Sequence, residues 1–331
     1  MSVLEVLTIG RISVDLYAEQ LGTPLRHVRT FRKSIGGTAT NVAVAAARLG
    51  RHTAVFTKVG DDPFGDYVRW ALEDTFSVDT RFVGADPDLP TPLAFAVLDP
   101  PDDPRIIFYR EPKAPDLNLT LDDVDAEQAG AVPILWVAAG ALAADPSRST
   151  VHALLERRLR ERLDQHTVLD LDWRPQLWDA AASATREVGR ALDAATMAIG
   201  NRAECEIAVG TDDPAEAADR LLARGLRVAV VKLGGEGVLV ATAEGRREQV
   251  PPYPVDVVCG LGAGDAFGGA LCHGLLSGWD LRRILEFANV AGAIVASRLE
   301  CSTAMPTEAE VEEHLASREP IAAQRAAAVK E

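Results

Sequence analysis

What most constrains this chain is an alternation. Apolar runs at 3–9, 53–59, 134–138, 167–171, 195–199 and 228–233 are separated by stretches long enough to hold a helix. Runs of this kind, with few polar interruptions, suit strands covered on both faces, as in a parallel sheet flanked by helices. The predicted class is therefore α/β. Helices are predicted over 42–49, about 66–75, 146–165 and 280–298, where Ala-rich or amphipathic stretches end in glycine or polar residues. Two β-rich excursions, near 12–33 and 80–113, interrupt the pattern, and their short strands can pair as a small lid over a ligand site. Strands are expected at 81–83, 93–98 and 105–109 within the second excursion. No internal repeat or linker divides the chain, so residues 1–315 are predicted as one domain, with 316–331 a frayed or disordered tail.

A second feature narrows the chemistry. Residues 254–271 read as an apolar strand at 255–258, a turn with glycines at 260, 262 and 264, and the small-residue start of a helix. Glycines let backbone N–H groups converge on an anion, and the helix dipole adds to the attraction. The run thus forms a candidate phosphate cradle from Gly262, Ala263 and Gly264. Asp265 stands at its edge, placed to accept a proton from a substrate hydroxyl. A dinucleotide fingerprint is excluded because Asp265 occupies the third glycine position, and a Walker A loop because no Gly-Lys-Ser/Thr follows. Taken alone, the run also fits a tight turn with an N-capping Asp.

Composition removes several classes of partner. The 331 residues are 47% hydrophobic and 25% charged, enough for a sizeable core, and carry a net charge of −15. Nucleic acid and anionic membranes reward clustered Lys and Arg, so neither is expected as a partner. The cysteines at 205, 259, 272 and 301 lack metal or CxxC spacing and read as reduced thiols of a cytoplasmic protein. No leader-like or membrane-spanning apolar segment is expected.

Other candidates follow in chain order. Asp15 lies just past the carboxyl end of the first strand, where ligands collect in open α/β sheets. Gly36 and Gly37 let a ligand approach the backbone, and Asn41 offers donor and acceptor to sugar hydroxyls, although a plain helix start fits as well. Tyr109 and Arg110 place a ring beside a cationic fork suited to a carboxylate, and Arg174 is a second such cation; a local ion pair is the alternative for each arginine. Asn201 and Glu204, one turn apart, can hold Mg²⁺ through its waters or simply form a capping box. Lys232, with Gly234 and Gly237 of a hairpin and Asn289 of a late helix, are candidate nucleotide contacts. The loop at 301–306 is expected to border an adenine pocket.

Taken in order, Asp15, Gly36-Gly37…Asn41, Gly60-Asp61-Asp62-Pro63-Phe64-Gly65, Asn201…Glu204 and Gly262-Ala263-Gly264-Asp265 resemble the PfkB (ribokinase-like) family of carbohydrate kinases over nearly the whole chain. The resemblance implies a doubly wound, mostly parallel sheet with a small β lid, and ATP and Mg²⁺ as cosubstrates. It also implies Asp265 as catalytic base, Gly262 to Gly264 as anion hole, Asn201 and Glu204 as the magnesium and phosphate motif, and Asp15, Gly37 and Asn41 as sugar contacts. The stretches at 10–17, 108–116, 170–174 and 259–269 look closest to members that phosphorylate an acid sugar in inositol catabolism, with Arg110 and Arg174 serving its carboxylate. A 2-keto-3-deoxygluconate kinase, a kinase for a neutral sugar or nucleoside, and a catalytically silent sugar-binding relative share parts of the pattern. Cys259 and Gly260 depart from the family's Asp and Thr, which puts a monovalent-cation site in question. An exposed lid sheet also offers an edge to a second copy.

Overall fold

The computed structural model describes residues 3–100, 104–158 and 165–324. Its strands are β1 (Val6–Ile9), β2 (Ser13–Ala18), β3 (Phe31–Gly36), β4 (Thr53–Gly60), β5 (Val83–Asp86), β6 (Leu93–Val97), β7 (Arg105–Tyr109), β8 (Ile134–Ala138), β9 (His166–Asp170), β10 (Met197–Asn201), β11 (Val228–Lys232), β12 (Val238–Thr242) and β13 (Arg247–Val250). The helices are α1 (Thr38–Arg48), α2 (Pro63–Trp70), α3 (Ala126–Ala131), α4 (Ser147–Arg157), α5 (Ala181–Leu192), α6 (Arg202–Val209), α7 (Pro214–Ala223), α8 (Ala263–Leu276), α9 (Leu281–Ala296) and α10 (Glu308–Ser317).

Among the described residues a nine-stranded sheet runs in the order β13-β12-β11-β10-β9-β8-β1-β4-β5. It is parallel from β11 to β5, with β12 and β13 antiparallel at one edge. Alternate residues of the central strands face opposite ways. Val6, Val55, Trp136 and Ile199 meet α1, α8 and α9 on one face, while Leu7, Phe56, Leu135 and Ala198 join the core with α4, α5 and α7 on the other. This is the ribokinase-like doubly wound fold. The chain moves from β1 outward through β4 to β5 and then resumes at β8 on β1's other side. That reversal opens a crevice at the carboxyl ends of β1 and β8, the place where such sheets bind ligands.

A separate four-stranded sheet, β3-β2-β6-β7, is built from the two β-rich excursions. Its β2–β6 pair is parallel and the others antiparallel. The first strand of the second excursion does not join it. β5 pairs parallel with β4, from Thr57 with Val83 to Gly60 with Asp86, because α2 supplies the helical crossover that a parallel neighbour requires. That helix begins at Pro63, earlier than its periodicity indicates, since the Asp62 carboxylate accepts from the N–H groups of Phe64 and Gly65.

Three further expectations change. Residues 255–258 form no strand: Val255 makes one isolated bridge to Ile321, and the N–H groups of Val258 and Cys259 both reach Ala296 O. Among the described residues only that isolated bridge forms there, so β-branched composition alone does not make a strand. The helix expected over 146–165 spans Ser147–Arg157, and 159–164 lie outside the described residues. Of the expected tail, the part up to 324 packs on the domain, with Ile321 buried and Gln324 N–H donating to Ser297 O; 325–331 lie outside the described residues.

Candidate active site

Two helix N-termini converge on the crevice. α1 begins after Gly37, whose φ is +100° and whose Cα faces the Arg11 backbone with no room for a Cβ. The helix leaves with Thr38, Thr40 and Asn41 buried in its first turn. α8 begins after Gly262, at φ +81° in the left-handed region, and no side chain caps its first turn. The uncapped N–H groups there are available to an anion, as helix starts provide. The two helices pack tightly because Gly269 presents no side chain against Ala45.

Asn41 and Asp265 meet where these turns face each other. The Asn41 Nδ2 amide donates to Asp265 Oδ2 at 2.7 Å. Burial raises the Asp265 pKa, and the Asn41 hydrogen bond only partly opposes it. Asp15 projects from β2 on the other side of a narrow 70 Å³ cleft that Asp265, Asn41 and Gly37 also line. Burial pushes Asp15 up to about 6, although Ser13 Oγ donates to it at 2.7 Å and Tyr17 OH at 3.3 Å. Gly36 lies against the Asp15 carboxylate and leaves it room.

On the far side of the α8 first turn is a larger, mostly apolar cavity of about 310 Å³. Ala263, Gly264, Lys232, Gly234, Gly237 and Asn289 line it, with Val238, Tyr253, Val255 and Ala293 as its apolar walls. A Cβ on Gly264 would come within 3.4 Å of Lys232 Nζ, so the lysine lies beside the cradle. Burial works against the Lys232 ammonium, but Glu204, Asp170 and Asp265 outweigh it and hold its pKa above the ordinary lysine range. The first turn of α8 is thus the wall shared by a roomy apolar cavity and a small polar cleft, with the carboxylate of Asp265 on the polar side.

Asn201 and Glu204 form the capping box that their spacing allows. Glu204 N–H donates to Asn201 Oδ1 at 2.9 Å, and Asn201 N–H to Glu204 Oε2 at 2.7 Å. Glu204 Oε1 lies 3.7 Å from Arg174 Nη1, and Lys232 Nζ lies 3.8 Å from Oε2. Asp170 is buried with Asp172, Glu204 and Asp265 as neighbours; burial first, and these like charges after it, push its pKa up to about 8 against the pull of Lys232. No cluster of three or more metal-ligating side chains occurs among the described residues. Mg²⁺ needs no such cage, since one or two carboxylates, waters and phosphates suffice. The surplus of carboxylates around Asp170 and Glu204 fits a divalent cation there.

The two arginines expected to serve a substrate carboxylate differ in their partners. Arg110 is held 2.5 Å from the buried Asp116 carboxylate and faces a second, open cavity of about 550 Å³. Arg174 is about 38% exposed, makes only long ion pairs of 3.5 Å to Asp172 and 3.7 Å to Glu204, and lines both this cavity and the polar cleft. Tyr109 is not in the site: strand alternation turns it to the outer face of the small sheet, 62% exposed and edge-on to Phe95. Phe108 and Ile106 line the cleft in its place. The loop at 301–306 also moves sides, for Cys301 lines the polar cleft rather than the apolar cavity.

Several site residues escaped sequence reading. Arg11 is buried, with Nη2 donating to Asp172 at 2.8 and 3.1 Å and to Thr38 Oγ1 at 2.8 Å. Burial weighs against the pKa of Asp172, yet Arg11 and Arg174 hold it below the ordinary carboxylate range. Ser302 Oγ donates to Asn41 Oδ1 at 2.7 Å, and Tyr17 OH lies 2.8 Å from Cys301 Sγ. Partners separated by 27 to 284 positions leave no local pattern to read.

The fold and this paired cleft define a sugar kinase, and the chain belongs to the pfkB family carbohydrate kinases, whose family pattern matches residues 3–308. Among its relatives, a protein of Bacillus anthracis named 5-dehydro-2-deoxygluconokinase is 30% identical over 323 residues, covering 96% of each chain. One of Bacillus cereus named 5-dehydro-2-deoxygluconokinase 2 is 31% identical over 314 residues, covering 93% of each. Among solved structures, fructokinase from Vibrio cholerae O395 with fructose, ADP and calcium is 27% identical, with a TM-score of 0.82 over 94% of this chain and 99% of that one. An uncharacterized sugar kinase from Pyrococcus horikoshii in complex with ATP is 27% identical, with a TM-score of 0.76 over 95% and 99%.

Proposed function

We propose that this sugar kinase transfers the γ-phosphoryl group of ATP to a primary hydroxyl of an acid sugar, 5-dehydro-2-deoxy-D-gluconate in the reading we favour, as in inositol catabolism in the cytoplasm. The observation that carries the kinase reading is the shared wall. ATP fills the apolar cavity with its base among Val238, Tyr253 and Ala293 and its phosphates toward Gly264 and Lys232. The acceptor sugar lies in the polar cleft, and the hydroxyl to be phosphorylated sits against Asp265. Asp265 takes that hydroxyl's proton, and the burial that raises its pKa makes it a stronger base than an exposed carboxylate. The N–H groups of Ala263 and Gly264 and the Lys232 ammonium hold the negative charge that spreads over the transferred group. Mg²⁺ bound to the nucleotide supplies further charge neutralisation; Glu204, with Asn201 beside it, would hold it through water.

The acid-sugar reading rests on charge and on the relatives' names. Arg11 and Arg110 are held closely by the buried carboxylates of Asp172 and Asp116, whereas Arg174 has only ion pairs of 3.5 Å to Asp172 and 3.7 Å to Glu204. A substrate carboxylate would give Arg174 a close partner. Arg110 therefore acts one step back, holding Asp116, whose Oδ2 in turn accepts from the Ile12 N–H at 3.1 Å. The outer face of the small sheet, where Tyr109 and Phe95 lie, is where a second copy would pack. The deciding experiment measures ADP release with 5-dehydro-2-deoxygluconate, 2-keto-3-deoxygluconate, fructose and ribose. Preference for an acid sugar, with KM for it raised roughly 10- to 100-fold by Arg174→Ala and no such change for a neutral one, is the expected result. Equal use of neutral sugars would overturn the acid-sugar reading, and no ADP with any of them the kinase reading.

A further inference from the structure

Asp265 does not hold its own position alone. Its Oδ2 accepts from Asn41 Nδ2 at 2.7 Å, and the other end of that amide, Oδ1, accepts from Ser302 Oγ at 2.7 Å. Ser302 is fully buried, and Asn41 is 4% exposed. An amide can turn over and exchange its oxygen and nitrogen with little change in shape, so its partners decide which end faces the carboxylate. Here the Asp265 carboxylate only accepts and so takes Nδ2, while the Ser302 hydroxyl donates to Oδ1 and holds the other end of the amide in place. Turned over, the amide oxygen would oppose the carboxylate.

We propose that Ser302 is a positioning residue for phosphoryl transfer, which locks the Asn41 amide in the orientation that donates to the Asp265 carboxylate. The chain runs Ser302 Oγ–H to Asn41 Oδ1, then Asn41 Nδ2–H to Asp265 Oδ2, and it reaches across 261 positions of sequence. Its neighbour Cys301 closes the same turn against the cleft, where Gly262 leaves its Sγ room: a Cβ on Gly262 would stand 2.7 Å from it. The turn Ser302–Ala304 therefore braces the base from one side as the helix α1 does from the other.

The groups facing Asp265 are Asn41 from α1, Arg11 after β1, Asp15 from β2, Asp170 at the end of β9 with Asp172 and Arg174 from the loop after it, Lys232 at the end of β11, and Cys301 beside Ser302. Only the Asn41 contact is a hydrogen bond, and Ser302 holds the amide that makes it. Losing it removes a donor to the charged form, so Asp265 should hold its proton to higher pH.

The inference rests on Asp265 being the base, so its test includes a readout that needs no turnover. In protein carrying labelled aspartate, the Asp265 carboxyl, assigned through Asp265→Asn, is titrated by NMR without substrate. Ser302→Ala is expected to raise its pKa by about one unit, and Ser302→Thr, which keeps the hydroxyl, to restore it. Ser302→Cys, with a weaker donor, should fall between and stands in if the Ala variant fails to fold. In turnover of 5-dehydro-2-deoxygluconate, the acid limb of the kcat profile should move by the same amount while KM for ATP stays. An unmoved Asp265 titration in a folded Ala or Cys variant overturns the proposal. A moved titration in a protein that turns over no sugar would leave the positioning role standing and sink the kinase reading instead.

Discussion

At the residue scale the decisive group is Asp265, and the decisive fact is that its carboxylate is buried where its charge is disfavoured. Asp265→Asn keeps the side chain's shape and removes the proposed base; turnover should fall by about 10²- to 10⁴-fold with KM for ATP little changed, as steady-state kinetics would measure. Asp15 presents the same tension between charge and burial. Its folded pKa of about 6 lies above the ordinary aspartate value of 3.8. The ionised form is therefore penalised in the native state, fully so above pH 6 and progressively less as pH falls toward 4. Removing the charge by Asp15→Asn should raise stability at pH 7, by no more than ~3 kcal/mol in chemical denaturation, while weakening sugar affinity. A variant that loses stability at neutral pH would show that the Ser13 and Tyr17 hydrogen bonds outweigh the burial cost. These residues were legible because each lies within a few positions of a glycine turn or strand end. Ser302 and Arg11 were not, because a serine or arginine alone carries no periodicity and its partners sit in remote segments.

At the scale of elements, the first turn of α8 separates two cavities, and its geometry depends on Gly262. A Cβ at that φ costs roughly 1–2 kcal/mol in the left-handed region and also meets Cys301. Gly262→Ala should thus lower Tm modestly and turnover far more, since the cradle N–H groups are re-aimed; a variant with normal kcat would rule out that turn as the anion site. The elements most readable in the sequence were those with strong covering on both sides, β4, β8, β10 and β11, whose apolar runs continue through the buried sheet. The misreadings have physical causes. Residues 255–258 are β-branched but, among the described residues, make only an isolated bridge, and β5 is too short for its sheet to be assigned without the α2 crossover that precedes it. Tyr109 was placed by proximity to Arg110, whereas the two-residue period of β7 sends adjacent side chains to opposite faces.

At the scale of the whole molecule, the active-site acids give the ligand-free protein an unusual dependence on pH. With its pKa pushed up to about 8, Asp170 binds a proton in the fold that it has released in the unfolded chain. Stability should then fall as pH rises from 6.5 to 8, by at most about 1.4 kcal/mol per unit from this group. His152, His166 and His273 are held neutral by burial and oppose this only below about 6.5, where the unfolded chain protonates them. Melting temperature measured across that window should decline, and Asp170→Asn should flatten the slope. A rising Tm would mean that the carboxylates are already neutralised. Addition of ATP with Mg²⁺ at 100 times Kd should stabilise by about 2.7 kcal/mol through binding to the native state alone.

The close seating of Gly269 on Ala45 welds the two ligand-facing helices into a single block. The two ends of the Asn41 side-chain amide then bridge Asp265 and Ser302, neither of which belongs to the small sheet. On the proposed function, the acceptor hydroxyl and Asp265 would keep their register whichever sugar entered, and substitutions in β2, β6 and β7 could alter the sugar without disturbing that block.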